Sequence, residues 1–425
     1  MQEEFVQFVW HHGLFENKPL KTIHQGEIIL FDRGLLNSDA GPDFTNARIS
    51  IDGQSWAGAI EIHVKASEWK AHKHKEDPRY NSVVLHVVWE YDNFDALRSD
   101  GSIIPTLELK SLVNHSVLEN HYALHGQLSM VPCAKLNPMH YEMNVKSALH
   151  RALADRMIQK SNRLVKLVKN HTNDWQQVFY IATARYLGMK VNAEAMEELA
   201  SRTPNELLAK NKESLFRTEA LLFGQSGFLD APSLDQYHTD LKKEYDYLKK
   251  KHSITSMSVL QWKFSRMRPS NFPTIRIAQL AGIVFNQLHL FSKVIEERQV
   301  VKLKSYFAVE LSEYWQEHFS FGKKTVKGSK RLGNNSIESL LINVVAPILF
   351  AYGKHRGDDA MTERAFDLLE LLKPESNKYT RFYECIGFSN ESAYDSQAIL
   401  GLKENYCDKR LCTKCSIGIK MLTQS

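Results

Sequence analysis

The sequence predicts an α+β protein: a mixed β-sheet domain with flanking helices over residues 1–140, followed by a larger, mainly α-helical domain over residues 141–425 that ends in a cysteine metal site at 385–415. Three observations lead there. Short stretches alternating between apolar and polar residues crowd the first ~125 residues. From about Tyr141 the apolar period lengthens from two to near 3.6. Four of the five cysteines then fall within the last 41 residues. At 425 residues and 43% apolar content the chain has enough material for two or three packed cores.

The first element is an amphipathic helix in EEFVQFVWHHGLF, and the strands expected after it are EIILFDRG, ARISI, GAIEIHVK, SVVLHVVWEYD and IIPTLELK. Between ARISI and the next strand stands Asp52-Gly53, the dipeptide of a tight hairpin turn. In AIEIHVK the side chains alternate, so Ile60, Ile62 and Val64 point one way and Glu61, His63 and Lys65 the other. A hairpin of this length brings Asp43, 18 residues upstream, beside Glu61. Two carboxylates with a cation and an imidazole nearby form a divalent-metal site for hydrolysis. Asp43 and Glu61 would hold Mg²⁺ or Mn²⁺, Lys65 would orient a water or offset developing charge, and His63 would ligate or act as base.

The polar stretch SEWKAHKHKEDPRYN then adds His72, His74 and Asp77, and SVVLHVVWEYD places His86 inside an apolar run. A zinc site from His63, His72, His74 and Asp77 is the competing metal reading. The simpler readings are a solvated, lysine-rich loop for His72 and His74 and a hydrogen-bonded core residue for His86.

After Tyr141, VKSALHRALADRMIQKSNRLVKLVKN forms a long helix with Leu149, Leu153, Met157, Leu164 and Leu167 on one side, and helical patterns continue nearly to the end. Boundaries are expected at His140–Val145 and in the polar loop around Gly322–Asn335. That loop holds Lys323, Lys324, Lys327, Lys330 and Arg331 with no acid among them, so it is the candidate contact for DNA or RNA phosphates. The long helix adds Lys146, Arg151, Arg156, Lys160, Arg163, Lys166 and Lys169 to the same expectation. With a net charge of only +5, such local clusters and not the overall balance would carry nucleic-acid affinity. Gly-Lys-Lys-Thr at 322–325 lacks the upstream glycine of a phosphate-binding loop, which excludes an NTPase reading. QWKFSRMRPSNFPTIRIAQLAG interleaves Trp262, Phe264 and Phe272 with Arg266, Arg268 and Arg276; a structured turn with Ser270 or Asn271 capping the next helix is preferred to a base-stacking surface.

At the far end, Cys407, Cys412 and Cys415 are spaced x4 and x2, and Cys385 lies 22 positions before Cys407. The start MQEEF is acidic and no apolar run approaches the ~20 residues of a membrane span, so a reducing cytoplasm is the expected compartment and no membrane partner is expected. There, clustered cysteines hold metal sooner than they form disulfides, and Cys385, Cys407, Cys412 and Cys415 would bind Zn or a [4Fe–4S] cube. Cys133 is read as a small core residue. The oligomeric state is not encoded in any recognisable pattern.

Two resemblances follow. Pro42-Asp43 and the Glu61-Ile62-His63 triplet resemble the PD-(D/E)xK nuclease superfamily, with the lysine two residues late at Lys65. That implies a restriction-endonuclease-like fold for residues 1–140, magnesium held by the acids, an assisting lysine, and a further acid from the first helix, for which Glu3, Glu4 and Glu16 are available. The displaced lysine supports the alternative, a catalytically inactive nucleic-acid-binding or scaffold protein whose affinity comes from the basic helix and the glycine-rich loop; a zinc hydrolase of small molecules built on His63, His72 and His74 is the third reading. Over its full length the chain is also similar to domain-of-unknown-function family 2851, on GLLNSDAGPDF, GAIEIHVKASEW, DPRYNSVVLHVVWEYD, SRMRPSNFPTIRIAQLAG and the ending ECIGF through GLKENYCDKRLCTKCSIG.

Overall fold

The computed structural model describes residues 1–16, 19–126, 129–136, 138–287 and 289–424. The chain divides into two compact units, residues 1–150 with 402–425, and residues 151–401. The first unit therefore takes in the C-terminal segment, which the sequence had assigned to the helical domain.

In the first unit, α1 (Glu3–His12) buries Phe5, Val6, Phe8, Val9 and Trp10, the stripe that the i, i+3, i+4 spacing dictates. Gly13, at φ 63°, ends it in a left-handed cap. Seven strands follow: β1 (Leu20–Lys21), β2 (Glu27–Asp32), β3 (Leu35–Leu36), β4 (Phe44–Ile51), β5 (Gln54–Lys65), β6 (Val83–Glu90) and β7 (Thr106–Glu108). They form one sheet in the order β1-β2-β4-β5-β6-β7, with β3 also paired to β4. β2, β4 and β5 make an antiparallel meander, whereas β5, β6 and β7 run parallel.

Asp52 (φ 49°) and Gly53 (φ 80°) turn β4 into β5 in two residues, both left-handed, which matches the twist of the paired strands. At the other end of this pair, Phe44 faces Ile60 and Ala47 faces Gly58, a bulge in which Asn46 takes φ 60°. The bulge re-aims the start of β4, where Asp43 stands. The crossover from β5 to β6 carries only α2 (Glu68–Ala71) and two 3₁₀ turns, His74–Glu76 and Pro78–Ser82. β6 is buried from Val83 through Trp89, as a strand covered on both faces must be. α3 (His115–His125) follows, and the long α4 (Glu142–Asn170) begins three residues before the helix expected at Val145.

The second unit is built of α5 (Trp175–Leu187), α6 (Ala193–Arg202), α7 (Asn205–Lys210), α8 (Leu215–Gln225), α9 (Gln236–His252), α10 (Pro273–Asn286), α11 (Leu290–Glu296) and α12 (Val300–Ser305). It continues through α13 (Glu313–Glu317), the two-stranded β8 (His318–Ser320) and β9 (Lys323–Lys324), α14 (Asn334–Leu340), α15 (Ala346–Arg356), α16 (Asp359–Leu371), α17 (Lys378–Cys385) and α18 (Ala393–Leu402). A π-helical stretch, Leu341–Val345, joins α14 to α15. The combined helix Asn334–Arg356 is long and apolar enough to cross a membrane, against expectation, and 72% of its apolar window is buried. After α18 the chain forms a second π-helical turn, Lys403–Cys407, a 3₁₀ turn, Cys412–Lys414, and α19 (Ser416–Leu422).

Candidate metal centre

Three elements of the first unit meet around Glu61. The hairpin delivers Asp43 and Glu61 on neighbouring strands: the Asp43 backbone N–H donates to Glu61 Oε2 at 3.0 Å, and the Ile62 N–H donates to Asp43 Oδ2 at 3.0 Å. From α1, Gln7 donates to Asp43 Oδ1 at 2.9 Å. Of the three acids offered for a first-helix role, Glu3 is the half-buried one in the field of Asp43; Glu4 is exposed and pairs with Lys414 at 3.5 Å, and Glu16 is exposed.

The crossover supplies two imidazoles. α2 ends at Ala71, and Lys73, at φ 58°, reverses the chain so that His72 and His74 both reach the buried end of β5. His63 Nε2 lies 3.1 Å from His72 Nδ1, 3.3 Å from His74 Nε2 and 3.7 Å from Glu61 Oε1. His74 Nε2 is 3.2 Å from the same Glu61 oxygen. Behind them His63 Nδ1 meets His86 Nε2 at 2.9 Å, and Tyr80 stacks on His74 with ring centroids 3.8 Å apart. Trp69, fully buried, sets its edge toward His63 and His74 and donates its indole N–H to Leu97 O at 3.1 Å.

These residues fit a divalent transition ion. Ligands about 2.0–2.1 Å from a tetrahedral ion stand about 3.3 Å apart; His63 Nε2 lies at such spacing from His72 Nδ1 (3.1 Å) and His74 Nε2 (3.3 Å), and Glu61 Oε1 flanks this trio on the side of His63 and His74. Among the described residues, His63, His72 and His74 form the group whose ligand atoms all lie within 4.8 Å of one another. His63 Nε2 offers a single hydrogen-bonding site, as donor or as acceptor, and faces three polar atoms. A proton on His63 Nδ1, donated to His86 Nε2, leaves the Nε2 lone pair aimed at Glu61, His72 and His74, as a ligand requires. His86 Nδ1 is buried with no partner among the described residues.

Burial, and then the charge of Glu61, pushes the Asp43 carboxyl up to about 7, and burial pushes Glu61 to about 8. Burial and the neighbouring histidines hold His63 down at about 2, and burial holds His86 at about 3. Burial thus drives each of these groups toward its neutral form.

Asp43, Glu61 and His63 therefore come together as expected, and His72 and His74 join them. Two expectations fail. Lys65 stands exposed at the end of β5 with its charge acting on Asp92, and no contact among the described residues ties it to the carboxylates. Asp77 turns outward, caps the following 3₁₀ turn and pairs with Arg79. Gln7 and Tyr80 were not singled out as site residues; a glutamine one turn after an acid on an amphipathic helix is too common to mark.

The other candidate residues lie elsewhere. Cys385 is exposed at the end of α17 in the second unit, while Cys407, Cys412 and Cys415 belong to the first, so the expected set of four is divided. The basic loop is partly neutralised: Lys324 pairs with Glu317 at 2.8 Å, Arg331 with Glu310 at 3.0 Å, and Lys330 donates to Gln316 O while lying 4.5 Å over the Phe319 ring. Lys323 and Lys327 are exposed. The 262–276 segment is structural, as preferred. Trp262 is buried and donates to Ser226 O, and Phe264 packs on Phe272. Asn271 does not cap α10; it accepts from the buried Arg276 guanidinium.

A family model described as "Protein of unknown function (DUF2851)" matches residues 3–378. No curated protein and no solved structure matches.

Proposed function

The chain belongs to the DUF2851 family, and from the geometry above we propose that it is a divalent-metal-dependent phosphodiester hydrolase of the PD-(D/E)xK type, acting on DNA or RNA. The observation that carries this reading is the convergence of Glu61, His63, His72 and His74 on one point beside Asp43. The order of elements supports it: α1, the antiparallel meander β2-β4-β5, a crossover, and β6 parallel to β5, with Asp43 at the head of the middle strand and Glu61-Ile62-His63 on the next. His63 occupies the third place of the triplet, where the superfamily's pattern has lysine, so the role expected of Lys65 passes out of the site.

Three imidazoles favour Mn²⁺ or Zn²⁺ over Mg²⁺, which prefers an all-oxygen shell. A bound ion supplies Lewis acidity toward a water and a phosphate. The protein supplies placement. Glu61 and the histidines would hold the ion, His86 fixes the ring of His63, and Gln7 with the Ile62 N–H fixes the Asp43 carboxylate. Asp43 in turn holds Glu61 through its backbone N–H.

A second reading is a closed structural ion, favoured by the burial of His63 and Glu61, 1% and 5% exposed. The two differ at His72, the exposed member: a catalytic centre keeps one coordination position for water, whereas a structural site fills all four with protein ligands. The test is hydrolysis of single- and double-stranded DNA and of RNA by the full chain loaded with Mn²⁺ or Zn²⁺. Cleavage that disappears in Glu61→Gln and in His63→Ala supports the hydrolase. Full metal occupancy with no cleavage of any of these substrates leaves only the structural ion.

A further inference from the structure

Cys133 lies on the segment after α3, and Cys407, Cys412 and Cys415 lie on the C-terminal segment, yet all four line one small cavity in the first unit, closed on one side by Leu124 and Pro132. All four thiols are free of disulfides. Cys407 and Cys412 are buried, and Cys133 and Cys415 are half-buried. Cys133 lies within electrostatic reach of both Cys415 and Cys412.

The backbone around them is built for close approach. Cys407 ends a π-helical turn in which Asp408 N–H donates to Lys403 O at 2.8 Å, a local widening of the helix frequent at functional sites. Arg410, at φ 56°, folds the chain back and donates to Ser129 O at 3.0 Å, which ties the cysteine turn to the segment that carries Cys133. Gly418 of α19 sits so close that an added Cβ would come within 2.2 Å of Cys412 O. Apolar packing explains one buried cysteine; it gives no reason for four from two segments 274 residues apart to share one cavity.

We infer that Cys133, Cys407, Cys412 and Cys415 hold a thiolate-bound metal centre, a zinc ion or a [4Fe–4S] cluster, that staples the C-terminal segment onto the N-terminal sheet unit. Cys133 thus takes the place that the sequence assigned to Cys385. Four thiolates are the soft set that selects these two metals, and each thiol releases its proton to solvent as the centre forms. The centre is independent of the histidine site and of the activity proposed for it.

The test uses the full chain purified without oxygen, with iron, zinc and acid-labile sulfide measured per chain for the wild type and for Cys133→Ser, Cys412→Ser and Cys385→Ser. Either about four iron atoms with sulfide and a brown colour, or zinc in a colourless protein, supports the centre, provided that Cys133→Ser and Cys412→Ser lose at least about tenfold of that metal and Cys385→Ser keeps it. Circular dichroism spectra and thermal melts serve as the check that these variants are folded. Thiol alkylation of the wild type gives a reading that needs no variant: Cys385 reacts at once, and the other four react only after a chelator is added. The inference is overturned if Cys133→Ser retains its iron and zinc at the wild-type level, or if the four thiols alkylate equally with and without chelator.

Discussion

His63 uses its two ring nitrogens for different ends: Nδ1 faces His86, and Nε2 faces Glu61, His72 and His74. Replacing His86 by alanine should therefore weaken Mn²⁺ binding by about 10- to 100-fold, the usual effect of losing an outer partner of a metal-bound imidazole, while leaving the ion count at saturation unchanged. Lys65→Ala should leave both metal affinity and turnover within about threefold of wild type, because its charge acts on Asp92. The reach of sequence reasoning shows at these positions. Asp43, Glu61 and His63 are legible because a two-residue turn and strand alternation put them side by side. His72 and His74 are visible only as a motif, since their convergence depends on the left-handed Lys73. Cys133 is illegible, because nothing local marks its partners hundreds of residues away. A residue outside the site gives a pH test. Glu219 is fully buried in the second unit, where its carboxylate accepts from Tyr237, Ser312 and Trp315, and burial lifts its carboxyl to about 7. The native state thus keeps a proton that the unfolded chain has already lost between the ordinary carboxylate range and about pH 7. Its contribution to stability falls as pH rises through that window and is flat above it. Thermal melts of Glu219→Gln should gain on the wild type between about pH 5 and about pH 8; parallel curves would refute this.

At the level of the element, the β4–β5 hairpin sets the geometry of the candidate metal site. Gly53→Val puts a branched side chain at φ 80° and should cost about 1–2 kcal/mol in denaturant unfolding, with little change in Mn²⁺ affinity, because the turn lies at the far end of the strands from Glu61. Gly58→Ala is different. Its Cβ would meet Ser82 O at 2.4 Å, forcing β5 away from β6 and parting His63 from His86, so both stability and metal affinity should fall. Equal losses of affinity in the two variants would contradict that distinction. The strands themselves were readable from period two. The crossover between β5 and β6 was not, because α2 and two 3₁₀ turns are too short to show a helical period, and it is this crossover that carries His72 and His74. The loop around Gly322–Asn335 likewise hid a small hairpin whose Lys324 pairs with Glu317 of α13, an arrangement that a charge run cannot disclose.

For the whole molecule, the division into a sheet unit and a helical unit follows from the change of hydrophobic period, but the return of residues 402–425 to the sheet unit does not, since α19 reads as one more helix. That return is what assembles the cysteine cavity. The account holds that the sheet unit is a metal protein, and ligand binding to the native state alone must then stabilise it. Mn²⁺ at about 100 times its dissociation constant should add about 2.7 kcal/mol to the unit that binds it and raise its melting temperature, with no shift in Glu61→Gln. The most direct measurement is calorimetric titration of Mn²⁺ into the full chain, an ion that four thiolates hold poorly and a histidine–carboxylate site holds well. The account predicts about one ion per chain in the wild type, and loss of that heat in both Glu61→Gln and His63→Ala. No heat in the wild type, or the same binding after both substitutions, would contradict it.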